Sequence, residues 1–532
     1  MKLGEVKAFI DAERKRIREA MTHEDIPGVA VCFIHDGQLA WTEGFGVTER
    51  RSGHAIASDT IFSIQSTSKN FTATAIMLAV QRGLLDLDAS ITTYLPEFSV
   101  ISRFEARPQE KMTLRMLLAN RAGFTHEAPV GNNFDPEFES FEAHVGSISR
   151  AWLRFPVGER YRYSNLGFDL AGYILQLRMG KPFAACLREL IFDPLGMKDS
   201  TVATEEYASH ANRAIGHQRG HAAVPLKTPL IPSGGVYTSA RDIAAYCMFH
   251  LNRGRVNGTA LLQESLWEEM HAFSFGGDYS LGTIRKELRY GETNVRSLSH
   301  AGGGFGFGCV FEYCPAAGLG WVALFNRPVA AAYRFGTKLI DDMLTRRYGA
   351  AAPRLPTDDL PLITLPDRWL QKYAGRYIGR NGMVEIEFKD GALSARHANS
   401  VAPIRFMAPD ELAVAGARGD AILYRHSPAS SLAPAHVECW VGESSLDYND
   451  GALDAPGPDE PAWAKHLGSY RLERWGEPAE RIVIRRKNGY LYLDDTRLVL
   501  EHERGLFFTA DGEAVDFRQA PPTWRNIRMQ RV

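Results

Sequence analysis

The chain has 532 residues, of which 45% are hydrophobic and 11% aromatic, so it is long enough for about three globular domains. Its 61 Lys and Arg residues against 63 Asp and Glu residues give a formal net charge of −2, which argues against nucleic acid or an anionic membrane as a partner. The six cysteines lie in apolar stretches without Cys-x-x-Cys spacing, and we expect all six to be reduced core residues: Cys32, Cys186, Cys247, Cys309, Cys314 and Cys439.

The N-terminal stretch, residues 1–21, predicts a helix and not a secretory signal, because charged residues are distributed along it and no apolar core segment interrupts them. The chain also contains no run of about 18 apolar residues of the kind that crosses a membrane. We therefore expect a cytoplasmic protein without a membrane partner. Two strand-like runs follow, Gly28 to Ile34 and Gln38 to Gly44, and Asp36-Gly37 between them predicts a hairpin.

The next stretch places a hydroxyl and an amine three residues apart, at Ser66 and Lys69, just before an apolar run from Phe71 to Val80. Such a run predicts a buried helix, with Ser and Thr capping its start and Gly83 after its end. Residues i and i+3 share one helix face, so the two side chains are expected to touch. This arrangement predicts a nucleophile with its activator.

Neither group works alone, because a hydroxyl is a poor nucleophile and a free Lys amine is protonated at neutral pH. Burial with a suitable neighbour lowers a Lys pKa by about 3 units, which frees the amine to accept a proton. The alternative is structural: Ser66 caps a core helix and Lys69 extends along the surface.

Further along, residues 113–123 predict a short amphipathic helix, and the loop at residues 128–137 is a candidate wall of a substrate entrance. Tyr163 and Asn165 then stand in a turn before a helix predicted at residues 166–179. A phenol beside Lys69 can share its proton, and an amide can orient both groups. Alternatively, Tyr163 packs on the core and Asn165 caps the helix.

The third stretch begins at His300-Ala301-Gly302 and continues through a glycine-rich run into two predicted strands, at residues 309–313 and 320–325. Glycines in strands mark places where the backbone approaches another group closely. Their spacing fits neither dinucleotide-binding nor Walker loops, so we expect no nucleotide. A backbone N–H near Gly303 is a candidate for an oxyanion hole, whereas His300 taken alone is also compatible with a structural role.

Taken in order, three motifs resemble the signatures of the serine β-lactamase and penicillin-binding-protein superfamily, and specifically its class C-like branch. They are Ser66 to Lys69, Tyr163 to Asn165 and His300 to Gly302. The resemblance covers about residues 20–345. It implies an α/β (α+β) β-lactamase/transpeptidase-like domain whose antiparallel sheet is flanked by helices, which we place at residues 1–350.

The resemblance also implies roles. Ser66 would be the acylated nucleophile, Lys69 and Tyr163 would relay its proton, and Asn165, His300 and Gly302 would orient the substrate. The oxyanion hole would consist of the backbone N–H groups of Ser66 and Gly303. His300 stands where many β-lactamases have Lys, as in the D-amino-peptide peptidases of the superfamily.

The C-terminal third begins after an Ala- and Pro-rich linker at residues 348–366. Two segments with similar sequence follow, at residues 367–452 and 462–532, and Pro456-Gly457-Pro458 separates them. Short alternating strands with turn signals predict two small antiparallel β-barrels. A catalytic domain followed by two barrels is similar to the layout of D-aminopeptidase, in which a barrel loop limits the active site to small substrates that have a free amine. The barrels here are alternatively stability or dimerisation modules.

The sequence therefore predicts a serine hydrolase that needs no cofactor and no metal, and that acts through an acyl-enzyme on small amides or D-amino-acid peptides. A carboxylesterase is the next alternative, followed by a β-lactamase or D-Ala-D-Ala carboxypeptidase, and then a non-catalytic binding module. The expected partner is a small molecule or a short peptide, and a homodimer is possible. Neither the substrate's identity nor its stereochemistry follows from the motifs.

Overall fold

The computed structural model describes residues 3–272 apart from 52 and 222, residues 279–351, 362–379, 382–397, 400–415, 421–427, 436–439 and 445–449, and residues 460–532 apart from 495 and 510. Part of the predicted linker, residues 352–361, and the predicted boundary at Pro456 to Pro458 lie outside these described residues. The predicted domain bounds stay a prediction.

A six-stranded antiparallel sheet in the order β2-β1-β10-β9-β8-β7 forms the centre of the first 350 residues. The strands of this part are β1 (Gly28–His35), β2 (Gln38–Gly46), β3 (Ile61–Ser63), β4 (Tyr237–Ser239), β5 (Arg255–Val256), β6 (Thr259–Ala260), β7 (Ile284–Tyr290), β8 (Thr293–Gly304), β9 (Phe307–Cys314) and β10 (Leu319–Phe325). The predicted hairpin joins β1 and β2, with Asp36 and Gly37 at φ 51° and 74° in the turn.

Both faces of the sheet are covered, as strand β1 shows. Ala30, Cys32 and Ile34 point into one hydrophobic core, while Val29 and Val31 point into a second core on the opposite face. Successive strand residues face opposite sides, so a strand that is apolar throughout belongs in the middle of such a sandwich. The sequence of β1 therefore suits its buried position.

Helices form the two outer layers. They are α1 (Leu3–Glu24), α2 (Ser68–Gln81), α3 (Leu114–Leu118), α4 (Phe141–Ser147), α5 (Leu166–Met179), α6 (Phe183–Leu187), α7 (Asp193–Leu195), α8 (Thr204–Ser209), α9 (Ile231–Gly234), α10 (Ala240–Leu251), α11 (Glu264–Met270) and α12 (Thr337–Tyr348). A further helix, α13 (Asp367–Leu370), instead contributes Leu370 to the core of the first barrel. Helices α1 and α12 cover one face, and α2, α5 and α10 contribute to the core on the other. Within the described residues, no helix is both long and apolar enough to span a bilayer.

Helix α2 is the predicted buried helix, and every residue from Ser68 to Ala79 is buried. The predicted side-chain cap at its start is wrong: Thr67 precedes the helix but makes no capping hydrogen bond. The reason is that residues Gln65–Thr67 already form a 3-10 turn, so Thr67 has helical backbone angles instead of the extended ones of a capping residue.

The helix predicted at residues 113–123 is shorter than expected, since α3 ends at Leu118. Thr113 caps it by accepting a hydrogen bond from Met116 N. Asn120 and Gly123 have φ values of 56° and 83°, in the left-handed region, so they cannot continue the helix. The predicted helix at residues 166–179 is confirmed as α5.

The C-terminal third contains two closed eight-stranded barrels, which confirms the prediction of two antiparallel barrels. The first has strands β11 (Gly375–Gly379), β12 (Gly382–Lys389), β13 (Ala392–His397), β14 (Ser400–Ala408), β15 (Glu411–Ala415), β16 (Ala421–Ser427), β17 (His436–Cys439) and β18 (Ser445–Asn449). The second has β19 (Gly468–Arg474), β20 (Glu477–Lys487), β21 (Tyr490–Leu493), β22 (Thr496–Glu503), β23 (Leu506–Thr509), β24 (Ala514–Asp516), β25 (Thr523–Trp524) and β26 (Ile527–Arg531).

The cysteine prediction holds where it is tested. Cys32, Cys186, Cys247, Cys309 and Cys314 are free thiols and buried. Cys439 lies in β17, and its side chain is outside the described part of the structure.

Candidate active site

Ser66 lies in the 3-10 turn between β3 and α2, and it is partly exposed while the residues on either side of it are buried. Gln65 precedes it with φ 48°, a left-handed conformation that non-glycine residues adopt only when the surroundings impose it. Val236 holds the turn from both ends, because its carbonyl accepts from Ile64 N at 3.0 Å and its N–H donates to Ser68 Oγ at 3.0 Å. The turn therefore presents the Ser66 hydroxyl from a fixed backbone.

Lys69 is fully buried one turn further along, and its Nζ lies 3.2 Å from Ser66 Oγ. The same Nζ donates to Asn165 Oδ1 at 2.7 Å and to Ser233 O at 2.9 Å. A neutral amine has two N–H bonds and one lone pair. With both N–H bonds directed at these two acceptors, the lone pair is left to face the Ser66 hydroxyl.

The electrostatics of the pocket support a neutral amine. Burial lowers the pKa of Lys69 from 10.5 to about 7, while the negative charges of Asp169 and Glu127 partly oppose this shift. At neutral pH a substantial fraction of Lys69 is therefore unprotonated and able to accept a proton. This is the direction that the sequence predicted.

The ring of Tyr163 lies against the same amine, with 4.7 Å between Lys69 Nζ and the ring centroid. The Tyr163 ring also stacks on His126 at 5.8 Å and lies 6.3 Å from the His300 ring. An aromatic face at this distance stabilises a protonated amine once it has taken a proton. The structure thus brings the first two predicted motifs together, and proton transfer through the Tyr163 hydroxyl stays a prediction.

Asn165 is the residue immediately before α5, yet its side chain makes no capping hydrogen bond. Its Oδ1 instead accepts the 2.7 Å hydrogen bond from Lys69. Asn165 is buried, so this amide has a fixed orientation in the pocket.

His300 is buried on β8, and both of its ring nitrogens are engaged. Nδ1 lies 2.8 Å from the carbonyl of Ala301, which can only accept, so Nδ1 carries the proton and Nε2 accepts from Tyr279 Oη at 3.0 Å. Burial and the nearby charge of Lys69 lower the pKa of His300 to about 3. His300 is therefore neutral, and it does not supply the positive charge of a Lys at this position.

Strand β8 passes the nucleophile turn at very short distance. A Cβ added to Gly302 would lie 1.9 Å from Ile64 O and 3.0 Å from Ser66 N, and one added to Gly303 would lie 2.1 Å from Tyr333 Oη. The clash at Gly302 is with backbone, so this position requires glycine, whereas a side chain at Gly303 would displace the Tyr333 hydroxyl. This approach places Gly302 beside Ser66 N. The oxyanion hole formed by the backbone N–H groups of Ser66 and Gly303 stays a prediction.

Sequence reasoning did not identify Glu127, which is buried in the loop opposite β8. Burial raises its pKa, but the charge and hydrogen bond of His126 and the hydrogen bonds of Asn133 overcome this effect and lower the pKa of Glu127 to about 2. Asn133 donates to Glu127 through both Nδ2, at 2.9 Å, and its backbone N–H, at 3.0 Å. No sequence signal distinguished this carboxylate from a surface Glu.

The second barrel reaches this loop with the hairpin between β19 and β20. Trp475 N donates to Phe134 O at 2.9 Å, and the Arg474 guanidinium lies 4.4 Å from the Phe134 ring. The Trp475 ring lies 5.2 Å from that of Phe305, which follows β8 directly. The hairpin therefore contacts both the loop and the end of β8 beside the nucleophile turn.

Buried polar contacts fix the second barrel in this position. Arg154 pairs with Asp511 and with Glu513, each at 3.0 Å. Thr125 Oγ1 donates to Glu513 Oε2 at 2.6 Å in a buried contact. The two parts of the chain are thus joined next to the candidate site.

Comparison with known proteins agrees with the resemblance to the β-lactamase and penicillin-binding-protein superfamily. The family model described as Beta-lactamase matches residues 14–342. Penicillin-binding protein 4 of Amycolatopsis lactamdurans is 26% identical over 377 residues, which cover 66% of this chain and 95% of that protein. Esterase EstB of Burkholderia gladioli is 26% identical over 199 residues, which cover 35% of this chain and half (50%) of that protein.

Among solved structures, the octameric penicillin-binding protein homologue from Pyrococcus abyssi superposes with a TM-score of 0.53 at 21% identity. The match covers 84% of this chain and 100% of that chain. At this identity the similarity shows a shared fold.

Proposed function

Since this chain belongs to the beta-lactamase family, we propose that it is a serine hydrolase that cleaves small amides or D-amino-acid peptides through an acyl-enzyme on Ser66. The observation that carries the proposal is the position of the Lys69 amine. It lies 3.2 Å from Ser66 Oγ, and its other two hydrogen bonds go to acceptors. This is the geometry in which an amine acts as a general base towards a hydroxyl.

In the proposed reaction, Ser66 Oγ attacks the substrate carbonyl carbon while the lone pair of Lys69 takes the hydroxyl proton. The carbonyl oxygen becomes an oxyanion, which the backbone N–H groups of Ser66 and Gly303 stabilise. When the tetrahedral intermediate collapses, the C–N bond breaks and the leaving nitrogen takes a proton through Lys69 and Tyr163. Water then attacks the acyl-enzyme by the same route and releases the acid.

Two features support a small substrate that has no carboxylate beside His300. The hairpin at Arg474 and Trp475 packs on Phe134 and on Phe305 beside the nucleophile turn, and we expect it to narrow the substrate cleft. His300 has a pKa of about 3, so it lacks the charge that would bind a carboxylate. A β-lactam or a C-terminal D-Ala peptide carries a carboxylate directly after the scissile amide, so these substrates rank below amides and peptides that have no carboxylate at that position.

A carboxylesterase is the second candidate. The similarity to a protein named Esterase EstB favours it, although the chain matches only half of that protein. The proposed chemistry also fits, because an ester differs from an amide in its leaving group and needs the same nucleophile, base and oxyanion hole.

The test is intact-protein mass spectrometry of the wild type and of Ser66→Ala after brief exposure to a D-alanyl amide, a short-chain aryl ester and a cephalosporin. We expect an acyl adduct or turnover only in the wild type, with the amide as the preferred donor. Preference for the ester would indicate a carboxylesterase, and preference for the cephalosporin would indicate a β-lactamase.

Ser209→Ala is the control, since it removes an exposed hydroxyl at the end of α8 that donates to Glu206 O, away from the nucleophile turn. This variant should keep the adduct. If the wild type and Ser66→Ala behaved identically with every donor and with a fluorophosphonate, the hydrolase proposal would be abandoned in favour of a binding module.

A further inference from the structure

A buried ion pair lies behind the candidate site, formed by His144 on α4 and Asp169 on α5. Both side chains are 0% exposed, and His144 Nε2 lies 3.3 Å from Asp169 Oδ2. The other ring nitrogen, Nδ1, lies 2.8 Å from the carbonyl of Val130. Because a carbonyl and a carboxylate both accept, the two ring nitrogens are satisfied together only when each carries a proton. The geometry therefore describes an imidazolium paired with a carboxylate.

The second oxygen of Asp169 is connected to the candidate base, Lys69, through the backbone of Ser233. Asp169 Oδ1 accepts from Ser233 N at 3.0 Å, and the carbonyl of Ser233 accepts from Lys69 Nζ at 2.9 Å. Asp169 also follows Asn165 by four residues, so both lie on the same face of α5. One helix face thus supplies a direct contact to Lys69 and an indirect one through a single residue of α9.

We propose that His144 and Asp169 form a positioning dyad, which holds the Ser233 backbone against Lys69 and balances the charge that Lys69 meets. The proposal rests on the proposed function, in which Lys69 is the general base. It assigns a role to two residues that the three sequence motifs do not include, and neither residue touches the nucleophile.

Asp169 and His144 shift the pKa of Lys69 in opposite directions. The Asp169 carboxylate raises the pKa of Lys69 because it favours the charged amine. The protonated His144 offsets this carboxylate, and although burial lowers the pKa of His144, the hydrogen bond to Asp169 raises it above 6.5. Removing the carboxylate therefore makes Lys69 easier to deprotonate, and removing the imidazolium makes it harder.

The other groups close to Lys69 and His144 are the same in the wild type and in variants of either dyad residue. Glu127 on the loop acts on Lys69, and the positive charge of Lys69 acts in turn on His300 of β8. Tyr163 presents its ring to Lys69, and Phe141 stacks on His144 at 6.3 Å.

The experiment measures the rate of Ser66 acylation by p-nitrophenyl acetate from pH 5 to 9 in the full-length protein. Asp169→Asn keeps the shape of the side chain and an oxygen that accepts from Ser233 N. The acidic limb of its pH–rate profile, where the rate rises with pH as Lys69 loses its proton, should move to lower pH by about one unit. His144→Gln should move the limb up by about the same amount, because it leaves the carboxylate uncompensated. Opposite shifts from the two halves of one pair are not expected from a general loss of packing.

Asp242→Asn is the matched control. Asp242 is a buried carboxylate that accepts hydrogen bonds from Asp199 N and Ser200 Oγ. It makes no hydrogen bond to Asn165, Ser233 or Ser66, so the acidic limb should stay in place. Thermal melting of each variant confirms that it is folded.

Shifts of the same sign, or no shift in either folded variant, would overturn the dyad. If only one variant folds, the sign of its shift decides. Nitrogen NMR of histidine-labelled wild type gives an independent answer, because both ring nitrogens of His144 should be protonated at pH 7, and a neutral ring there overturns the proposal. Failure of the hydrolase proposal is separate, since it would appear as equal acylation of Ser66→Ala and wild type.

Discussion

Asn165 Oδ1 accepts a 2.7 Å hydrogen bond from Lys69 Nζ, although Asn165 stands at the residue before α5 where an Asn side chain usually caps the helix. The side chain makes no capping bond, and a missing cap typically costs about 1 kcal/mol of stability. Ser233 O takes a second N–H of the same amine. The chain thus uses a helix-start residue to orient a buried amine.

The first prediction concerns the charge of this amide. Asn165→Asp keeps the shape but adds a carboxylate beside Lys69, which should raise the pKa of Lys69 by about 1 to 3 units. Acylation at pH 7 should fall at least about tenfold and recover as the pH rises, as measured by stopped-flow acylation with p-nitrophenyl acetate. Asn252→Asp, at the exposed end of α10, is the control and should leave the profile unchanged.

The second prediction concerns Lys69 itself, whose pKa is about 7. Acylation of the wild type should fall about tenfold per pH unit below this value, because the protonated amine has no lone pair for the Ser66 proton. Lys69→Arg should lower the acylation rate at least about 10³-fold at every pH up to 9, since a guanidinium stays protonated. Lys227→Arg on the exposed loop is the matched change, and an active Lys69→Arg enzyme would rule out Lys69 as the base.

The third prediction concerns the contact between β8 and the nucleophile turn. Gly302→Ala introduces a Cβ 1.9 Å from Ile64 O, so the strand must move away from Ser66 N. Activity should fall about 10²- to 10³-fold, the typical loss for one oxyanion donor. Gly146→Ala on α4 is the control, because nothing lies within 4 Å of its added Cβ. Steady-state kcat on an aryl ester measures both, and an unimpaired Gly302→Ala would exclude this strand from the oxyanion hole.

The fourth prediction concerns the hairpin of the second barrel. Trp475→Ala removes the ring that lies 5.2 Å from Phe305, which should widen the cleft. The ratio of kcat/KM for a tripeptide amide to that for a single-residue amide should rise about tenfold, the effect expected from one pocket contact. Trp369→Ala, which alters a half-exposed Trp just before the first barrel, should leave the ratio unchanged. An unaltered ratio in Trp475→Ala would favour the stability or dimerisation role of the barrels.

Local sequence patterns were sufficient for the elements that carry the motifs. The apolar run after Ser66 became α2, the residues after Asn165 became α5, and Asp36-Gly37 formed the turn between β1 and β2. Each pattern depends on residues that are only a few positions apart, and over such short distances periodicity and turn chemistry determine the conformation. The predicted side-chain cap of α2 failed because the preceding turn is held by Val236, which is distant in sequence.

The sequence by itself determined the types and order of the reactive groups, because Ser66 and Lys69 are one helical turn apart and their contact is local. Asp169 was within reach of the same reasoning, since it lies one helical turn after Asn165. Only the tertiary structure brought Ser233 to the amine, Glu127 close to it and His144 to Asp169, because these positions depend on packing between segments that are distant in the chain. The lowered pKa of Lys69 also depends on the tertiary structure, because burial by those segments removes the water that would stabilise its charge.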